Sequence, residues 1–200
     1  MNPLLQDWTT PFGIAPFDQI SDDDFAPALE EALAAHNAEI DAIANDPDAP
    51  TFANTVEALE AVGGKLDKVL SLFYTVAGAD SNPAREALQR DFSPKLSAHF
   101  SEISANKALF ARVDGVWQGR DALDFSDEQA RVLKLTHLGF VRAGSALIGA
   151  DEARMKEIKG RLAVLGTEFT QNLLADERSW FMKLEEADLI GLPDFVMDTA

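Results

Sequence analysis

The chain has no cysteine, which removes disulfides and every thiolate-bound zinc, iron–sulfur or redox site and fits a reducing compartment. Basic residues are missing from its opening stretch: residues 1–60 hold 13 Asp and Glu and neither Lys nor Arg, the first base being Lys65. The other 140 residues carry 21 acids against 17 bases, so nearly all of the net charge of −17 sits at one end. A surface of that sign repels phosphate backbones and excludes the main source of nucleic-acid affinity. It reads as a solvated face that confers solubility, with a docking face for a basic partner as the functional alternative. Long apolar runs are lacking too. The longest, Val69 to Ala79, is interrupted by Ser71 and Thr75 and is too short to span a bilayer. The start, Met1-Asn2-Pro3-Leu4-Leu5-Gln6-Asp7, has neither the basic region nor the apolar stretch of a secretory signal. These absences point to a cytoplasmic chain with no membrane and no nucleic acid among its partners.

What is present is enough to bury a core: 46% of the 200 residues are hydrophobic. The periodicity predicts an all-α fold of about six long helices. Residues 1–20, with Pro3, Pro11, Gly13 and Pro16, read as an extended lead-in whose aromatics Trp8, Phe12 and Phe17 pack against something larger. Residues 21–200 read as one helical domain. Ser21 and the acids Asp22, Asp23 and Asp24 mark the first helix start, where free amides and the dipole favour such groups. Phe25, Leu29, Leu33, His36, Ile40 and Ile43 form its buried face. A second helix is expected from Asn54, with Glu57 as capping partner, through Val56, Leu59, Val62, Leu66, Val69 and Phe73. Gly63-Gly64 interrupts it, which suggests close packing or a hinge.

Asn82-Pro83 opens a third helix, with an expected kink at Pro94. Asn106 caps a fourth through Leu109, Phe110, Val113 and Trp117, and Ser126 with Gln129 forms the capping box of a fifth through Val132, Leu135, Leu138 and Val141. The sixth, about Asp151 to Asp176, spaces Met155, Ile158, Leu162, Leu165, Phe169 and Asn172 alternately by three and four, as in a coiled-coil seam. Residues 179–184 alternate as one short strand would, and Leu192-Pro193 precedes a last helix start. A lone strand and a helix begun just before Thr199-Ala200 suggest a domain incomplete at its carboxyl-terminal end.

No catalytic or metal-binding residue can be assigned from the pattern. His36 and His99 each have a glutamate three residues later, Glu39 and Glu102, whereas bundle di-metal sites use Glu followed by His at that spacing. His137 has Leu133, Lys134, Phe140 and Val141 at helical spacing and so no ligand on its own helix. The His-Glu-x-x-His zinc signature, the Gly-x-Ser-x-Gly elbow and a phosphate loop are all absent. Asp22, Asp24, Asp46 and Asp48 lack the glycine and terminal glutamate of a calcium loop. Substrate-binding residues stay unknown at this stage.

Particular phrases are more informative. Asn2-Pro3-Leu4-Leu5 with Phe17-Asp18-Gln19-Ile20, Thr51-Phe52-Ala53-Asn54-Thr55-Val56 with Ala58-Leu59-Glu60, and Ser93-Pro94-Lys95-Leu96 resemble the amino-terminal region of the thimet-oligopeptidase family of zinc metallopeptidases. Phe140-Val141-Arg142-Ala143-Gly144 and Asp188-Leu189-Ile190-Gly191-Leu192-Pro193 look like the same family. The stretch Ala108-Leu109-Phe110-Ala111-Arg112-Val113-Asp114-Gly115-Val116-Trp117-Gln118 points within it to the bacterial peptidyl-dipeptidases, or dipeptidyl carboxypeptidases.

The resemblance implies a mainly helical enzyme of two halves around a deep channel, with this segment as part of one wall. In that family zinc sits on a His-Glu-x-x-His helix plus a later glutamate. It keeps one position open for water, and the motif glutamate takes the proton. The implied reaction releases carboxyl-terminal dipeptides from short peptides. No residue of this chain matches those functional positions, so zinc is expected in the full-length enzyme and none in this chain. The implied partners are the catalytic remainder of the same polypeptide and short peptide substrates. The alternative is a stand-alone helical interaction module without catalytic activity.

Overall fold

The computed structural model describes residues 2–197, the side chains of Thr167 and Glu186 excepted. It is all-α, and it falls into two units, Met1–Leu147 and Ile148–Ala200. No strand occurs among the described residues.

The first unit begins with three single 3-10 turns, Pro3–Leu5, Pro11–Gly13 and Phe17–Gln19. Asn2 anchors this lead-in: its side chain accepts from the Leu4 amide at 2.9 Å and donates to the Asp24 carbonyl at 2.7 Å. Leu4 is thereby fully buried. Trp8 behaves as the sequence suggests: it packs against the core, donates Nε1–H to the Pro3 carbonyl at 3.0 Å and lies under the Lys68 ammonium. Phe12 and Phe17 do not. They are 100% and 55% exposed, because the turns that carry them close on their own backbone and bring no helix over the rings.

Helix α1 spans Asp22–Ala44. At its start the Ser21 amide and hydroxyl both donate to the Asp24 carboxylate, at 2.8 and 2.7 Å, which holds that carboxyl below the usual range. Its predicted face is the one buried. Phe25, Leu29 and Leu33 join Leu66, Val69, Leu72 and Phe73 of α3 (Gly64–Ala79) and Phe92 and Leu96 of α4 (Pro83–Ala105) in the main core. Phe25 and Phe73 meet edge to face at 5.3 Å. Farther along, Ile40, Ile43 and Ala44 pack with Leu109 of α5 (Lys107–Gly119). Leu133 of α6 (Asp127–Ala143) closes a third cluster with Val56 and Val116.

The expected second helix is instead three pieces. Its cap is Thr51, not Asn54: Thr51 Oγ1 accepts from the Asn54 amide while the Asn54 side chain accepts from the Thr51 amide, so Asn54 takes the reciprocal role assigned to Glu57. A π-turn, Phe52–Glu57, runs into the one-turn α2, Ala58–Ala61. Gly63 then stands at φ +84°, which ends one helix and starts α3. Close packing at this glycine is what the sequence suggested, since a Cβ there would lie 3.2 Å from the His36 ring.

Asn82, Asn106 and Ser126 cap their helices as expected, each accepting from the amide three residues on. Helix α4 is continuous through Pro94. On α6 the expected side is covered only in part: Val132 and Leu138 are half-buried, Val132 against the third cluster. Leu135 and Val141 are exposed, whereas Leu133 is buried and His137 and Phe140 are half-buried, because these are the positions that meet α5.

The acid-rich opening stretch is used partly inside this unit. Asp22 pairs with Arg85, Glu30 with Lys95, Glu31 with Lys65 and Asp46 with Arg112, joining acids before residue 60 to bases of α3, α4 and α5. Asn82 and then Arg85, both hydrogen-bonded to Asp22, hold its carboxyl below the usual range.

The second unit is dominated by α7, Gly149–Ser179, followed by a 3-10 turn at Glu186–Leu189 and α8, Asp194–Met197. The strand expected at 179–184 is absent. Ser179 is the last residue of α7, and Trp180 has extended backbone angles but no partner strand to pair with among the described residues. The last helix start is found where expected, after Pro193, while Thr199 and Ala200 lie outside the described residues.

Candidate functional site

The chain offers two polar constellations and one apolar face. The first joins histidines that stand 63 residues apart in the sequence. His36, one turn below Ile40 on α1, and His99, one turn above Leu96 on α4, meet ring nitrogen to ring nitrogen: His99 Nε2 lies 2.9 Å from His36 Nδ1. The rings are tilted by 57° with centroids 4.9 Å apart, and Phe100 contacts both edge-on. Glu39, on the same face of α1 as His36, accepts the Gly63 amide at 2.8 Å. His99 is 4% exposed, and its Nδ1 has no hydrogen-bond partner. Burial, and next the neighbouring His36, push the His99 imidazole below its ordinary value, with Glu102 opposing them. Glu102 lines the adjacent surface hollow with Glu30, Lys95 and Asn37.

The second constellation lies between α5 and α6. His137 Nε2 sits 2.9 Å from Asp114 Oδ1, which also accepts from Gln118 Nε2 at 3.2 Å. The imidazole stacks on Trp117 at 4.8 Å and 10°, and the Phe110 ring lies 6.0 Å from it. Arg120 lies against the Trp117 ring and donates to the Trp117 carbonyl at 2.8 Å. Beside this stack is a cavity of about 400 Å³ lined by Trp117, Leu123, Phe125, Leu133, Lys134 and Arg120. Its walls are aromatic and aliphatic, and Asp121 and Asp124 stand at the rim with the two cations, so the lining suits an apolar group and favours neither sign of charge.

Neither constellation is a metal centre. No group of three or more His, Asp or Glu among the described residues could hold a metal ion. Three of the aspartates that superficially resemble calcium ligands have other work for their carboxylates: Asp22 holds Asn82 and Arg85, Asp24 caps α1, and Asp46 receives Arg112 and the Asp48 amide. Arg112 is itself buried and binds the Asp46 and Asp48 carbonyls at 2.8 and 2.9 Å, fixing the turn that follows α1.

Sequence reasoning weighed each histidine against its own helix and missed both pairings. A pairing between helices leaves no mark in the spacing within one, and only the placement of His36 on the apolar face of the first helix hinted at the first of them.

The apolar face is on α7. Ile158, Leu162, Leu165 and Phe169 of the predicted seam are 39%, 61%, 42% and 69% exposed, and Val164, Leu173 and Leu174 widen the stripe. Trp180, Phe181, Met182, Ile190 and Phe195 are exposed as well. Single exposed apolar residues are ordinary, but a contiguous stripe marks a contact surface.

No family model matches the chain. Individual proteins do. It is 39% identical over 200 residues to a dipeptidyl carboxypeptidase of Salmonella typhimurium and 38% identical over 195 residues to the dipeptidyl carboxypeptidase of Escherichia coli, matches that cover 100% and 97% of this chain. It is 26% identical over 201 residues to oligopeptidase A of Haemophilus influenzae, covering 100% of the chain. In each case the chain spans 29% of the relative's length. The identities rank the dipeptidyl carboxypeptidases above oligopeptidase A, in line with the residues at 108–118. The chain therefore belongs to the thimet-oligopeptidase family, as a relative of the amino-terminal region of its peptidases.

Proposed function

We propose that this chain is an amino-terminal helical part of a zinc-dependent dipeptidyl carboxypeptidase, and that it contributes a wall of the peptide channel. The observation that carries the reading is the collinear match over the whole chain to proteins more than three times its length. The described residues offer no zinc site, so no step of hydrolysis is derived from them. Zinc, the water it activates and the proton acceptor belong in this reading to the remainder of the polypeptide. The role left to this chain is steric: helices packed as in the first unit form a stiff surface that admits unfolded short peptides and keeps folded proteins out.

The α7 stripe supports the same reading. Its apolar side chains are the kind of surface that a larger partner covers, and the proposed occupant is the catalytic remainder of the enzyme. No helix of the described residues is long and apolar enough to cross a membrane. The enzyme is proposed to work in the cytoplasm.

The test begins with the reading frame beyond Ala200. A long continuation containing His-Glu-x-x-His is expected. The extended polypeptide should release carboxyl-terminal dipeptides from short peptides, detected by mass spectrometry, and lose that activity to a chelator. The 200-residue chain alone should hydrolyse nothing. A stop codon directly after Ala200, or tight stoichiometric zinc binding by the isolated chain in calorimetry, would overturn the proposal in favour of a self-contained module.

A further inference from the structure

We propose that the His36–His99 pair is a proton-operated latch: with one proton in the bridge it ties α1 to α4 and seats the helix break at Gly63, and uptake of a further proton opens it.

Hydrogen-bond logic assigns the closed state. A ring nitrogen can donate only if it carries hydrogen, and in a bridge of 2.9 Å one nitrogen must donate and the other accept. If His36 donated, His99 would carry its hydrogen on Nδ1, a buried atom with no partner. An orphaned buried N–H is among the costlier defects of a fold, and an unsatisfied acceptor is less so. His99 Nε2–H is therefore the donor and His36 Nδ1 the acceptor.

An added proton then has two places to go, and both are bad. On His36 Nδ1 it would set two donors face to face. On His99 Nδ1 it would place a charged, unsatisfied donor at a residue 4% exposed. The surroundings give limited help. From α4 only Glu102 pulls toward the charged form. Lys95 of α4 is paired with Glu30 of α1, Glu39 of α1 is engaged by the Gly63 amide, and Lys65 of α3 is paired with Glu31. Burial and the facing His36 hold the His99 imidazole below its ordinary value, so that ring is better protonated in water than in the bridge.

The mechanical consequence follows from what His36 touches. Its ring supports Gly63, whose virtual Cβ would lie 3.2 Å from Nε2, and Glu39 one turn on receives the Gly63 amide. Moving His36 out of the bridge thus withdraws the support under the φ +84° residue that separates α2 from α3. Three elements are released by one titration.

Nuclear magnetic resonance of the 15N-labelled 200-residue chain tests this directly. At about pH 8 both rings should be Nε2–H tautomers, with a scalar coupling across the bridge between His99 Nε2 and His36 Nδ1. At about pH 5 that coupling should vanish, and the Gly63 amide should exchange faster, by about tenfold, than its intrinsic pH dependence explains. The acid response should be lost in His36→Gln/His99→Gln, which keeps polar groups that do not titrate, and kept in His137→Gln. The latch is refuted by absence of the coupling at the higher pH, by its survival at the lower, or by an unchanged acid response in the double glutamine variant. The wild-type measurements decide the matter even if that variant does not fold.

Discussion

Truncating a leucine should cost the two units very different amounts. Leu29 of α1 is 0% exposed in the main core, and Leu162 of α7 is 61% exposed. Leu29→Ala removes buried methyl groups and leaves a cavity between α1, α3 and α4, a loss of about 3 kcal/mol. With a urea slope of about 2 kcal/mol per molar, the midpoint for the first unit should fall by about 1.5 M. Leu162→Ala gives up little burial and gains slightly in helix propensity, so its effect should lie within about 0.5 kcal/mol. Urea titration followed by hydrogen exchange resolved by peptide reads the units separately. In the extended polypeptide, where the proposed remainder covers α7, Leu162→Ala should instead cost about 2–3 kcal/mol. Equal losses for the two substitutions in the 200-residue chain would show that α7 is already buried and would refute the reasoning. A negligible Leu162→Ala effect in the extended polypeptide would remove α7 from the contact surface.

Three further substitutions or titrations test the first unit. Gly63→Ala puts a side chain at φ +84° and 3.2 Å from the His36 ring, and should destabilise by about 1–2 kcal/mol in thermal melts. Arg112→Met removes the donors that hold the Asp46 and Asp48 carbonyls, and should cost about 2–3 kcal/mol and raise proteolytic nicking between residues 45 and 50. Asp22 and Asp24 have carboxyls lowered from 3.8, so the stability they supply is fully present above that pH and is lost as pH falls through their lower folded values. Asp22→Asn should flatten the acid limb of a stability–pH curve below pH 3.8, measured by circular dichroism, relative to the unaltered chain.

Helix starts were legible because a cap is a local event. Ser21, Asn82, Asn106 and Ser126 each act on an amide or carboxyl within three residues, and each was read correctly. The buried face of α1 was legible for the same reason, since 3.6-residue periodicity lies within one element. What escaped was set between elements. Thr51 rather than Asn54 caps the π-turn because Asn54 is drawn back to the Ala49 carbonyl at 3.1 Å and to the Thr51 amide. Leu135 and Val141 have the right period but the wrong side, because α5 meets α6 through Leu133, His137 and Phe140. The acid-rich opening stretch read as a solvated face, yet Asp22 and Asp46 are ligands for Arg85 and Arg112, bases that the sequence places more than sixty residues away. The two histidine pairings fail to show for that same reason.

The division of apolar residues bears most directly on function. Among the described residues the buried apolar side chains lie between Leu4 and Leu133, while α7 and the segment after it leave most of theirs exposed. Helix α7 is long, but Gly160 and Gly166 inside it each cost about 1 kcal/mol relative to alanine, and a helix in water draws most of its stability from a packed face. A sequence that keeps a three-four apolar alternation over five positions, from Met155 to Phe169 and through two unfavourable glycines, specifies a helix that expects a neighbour. The first unit buries three apolar clusters of its own. The buried clusters thus lie in the first unit and an exposed apolar stripe in the second, the division expected if, as proposed, α7 meets the remainder of a larger peptidase.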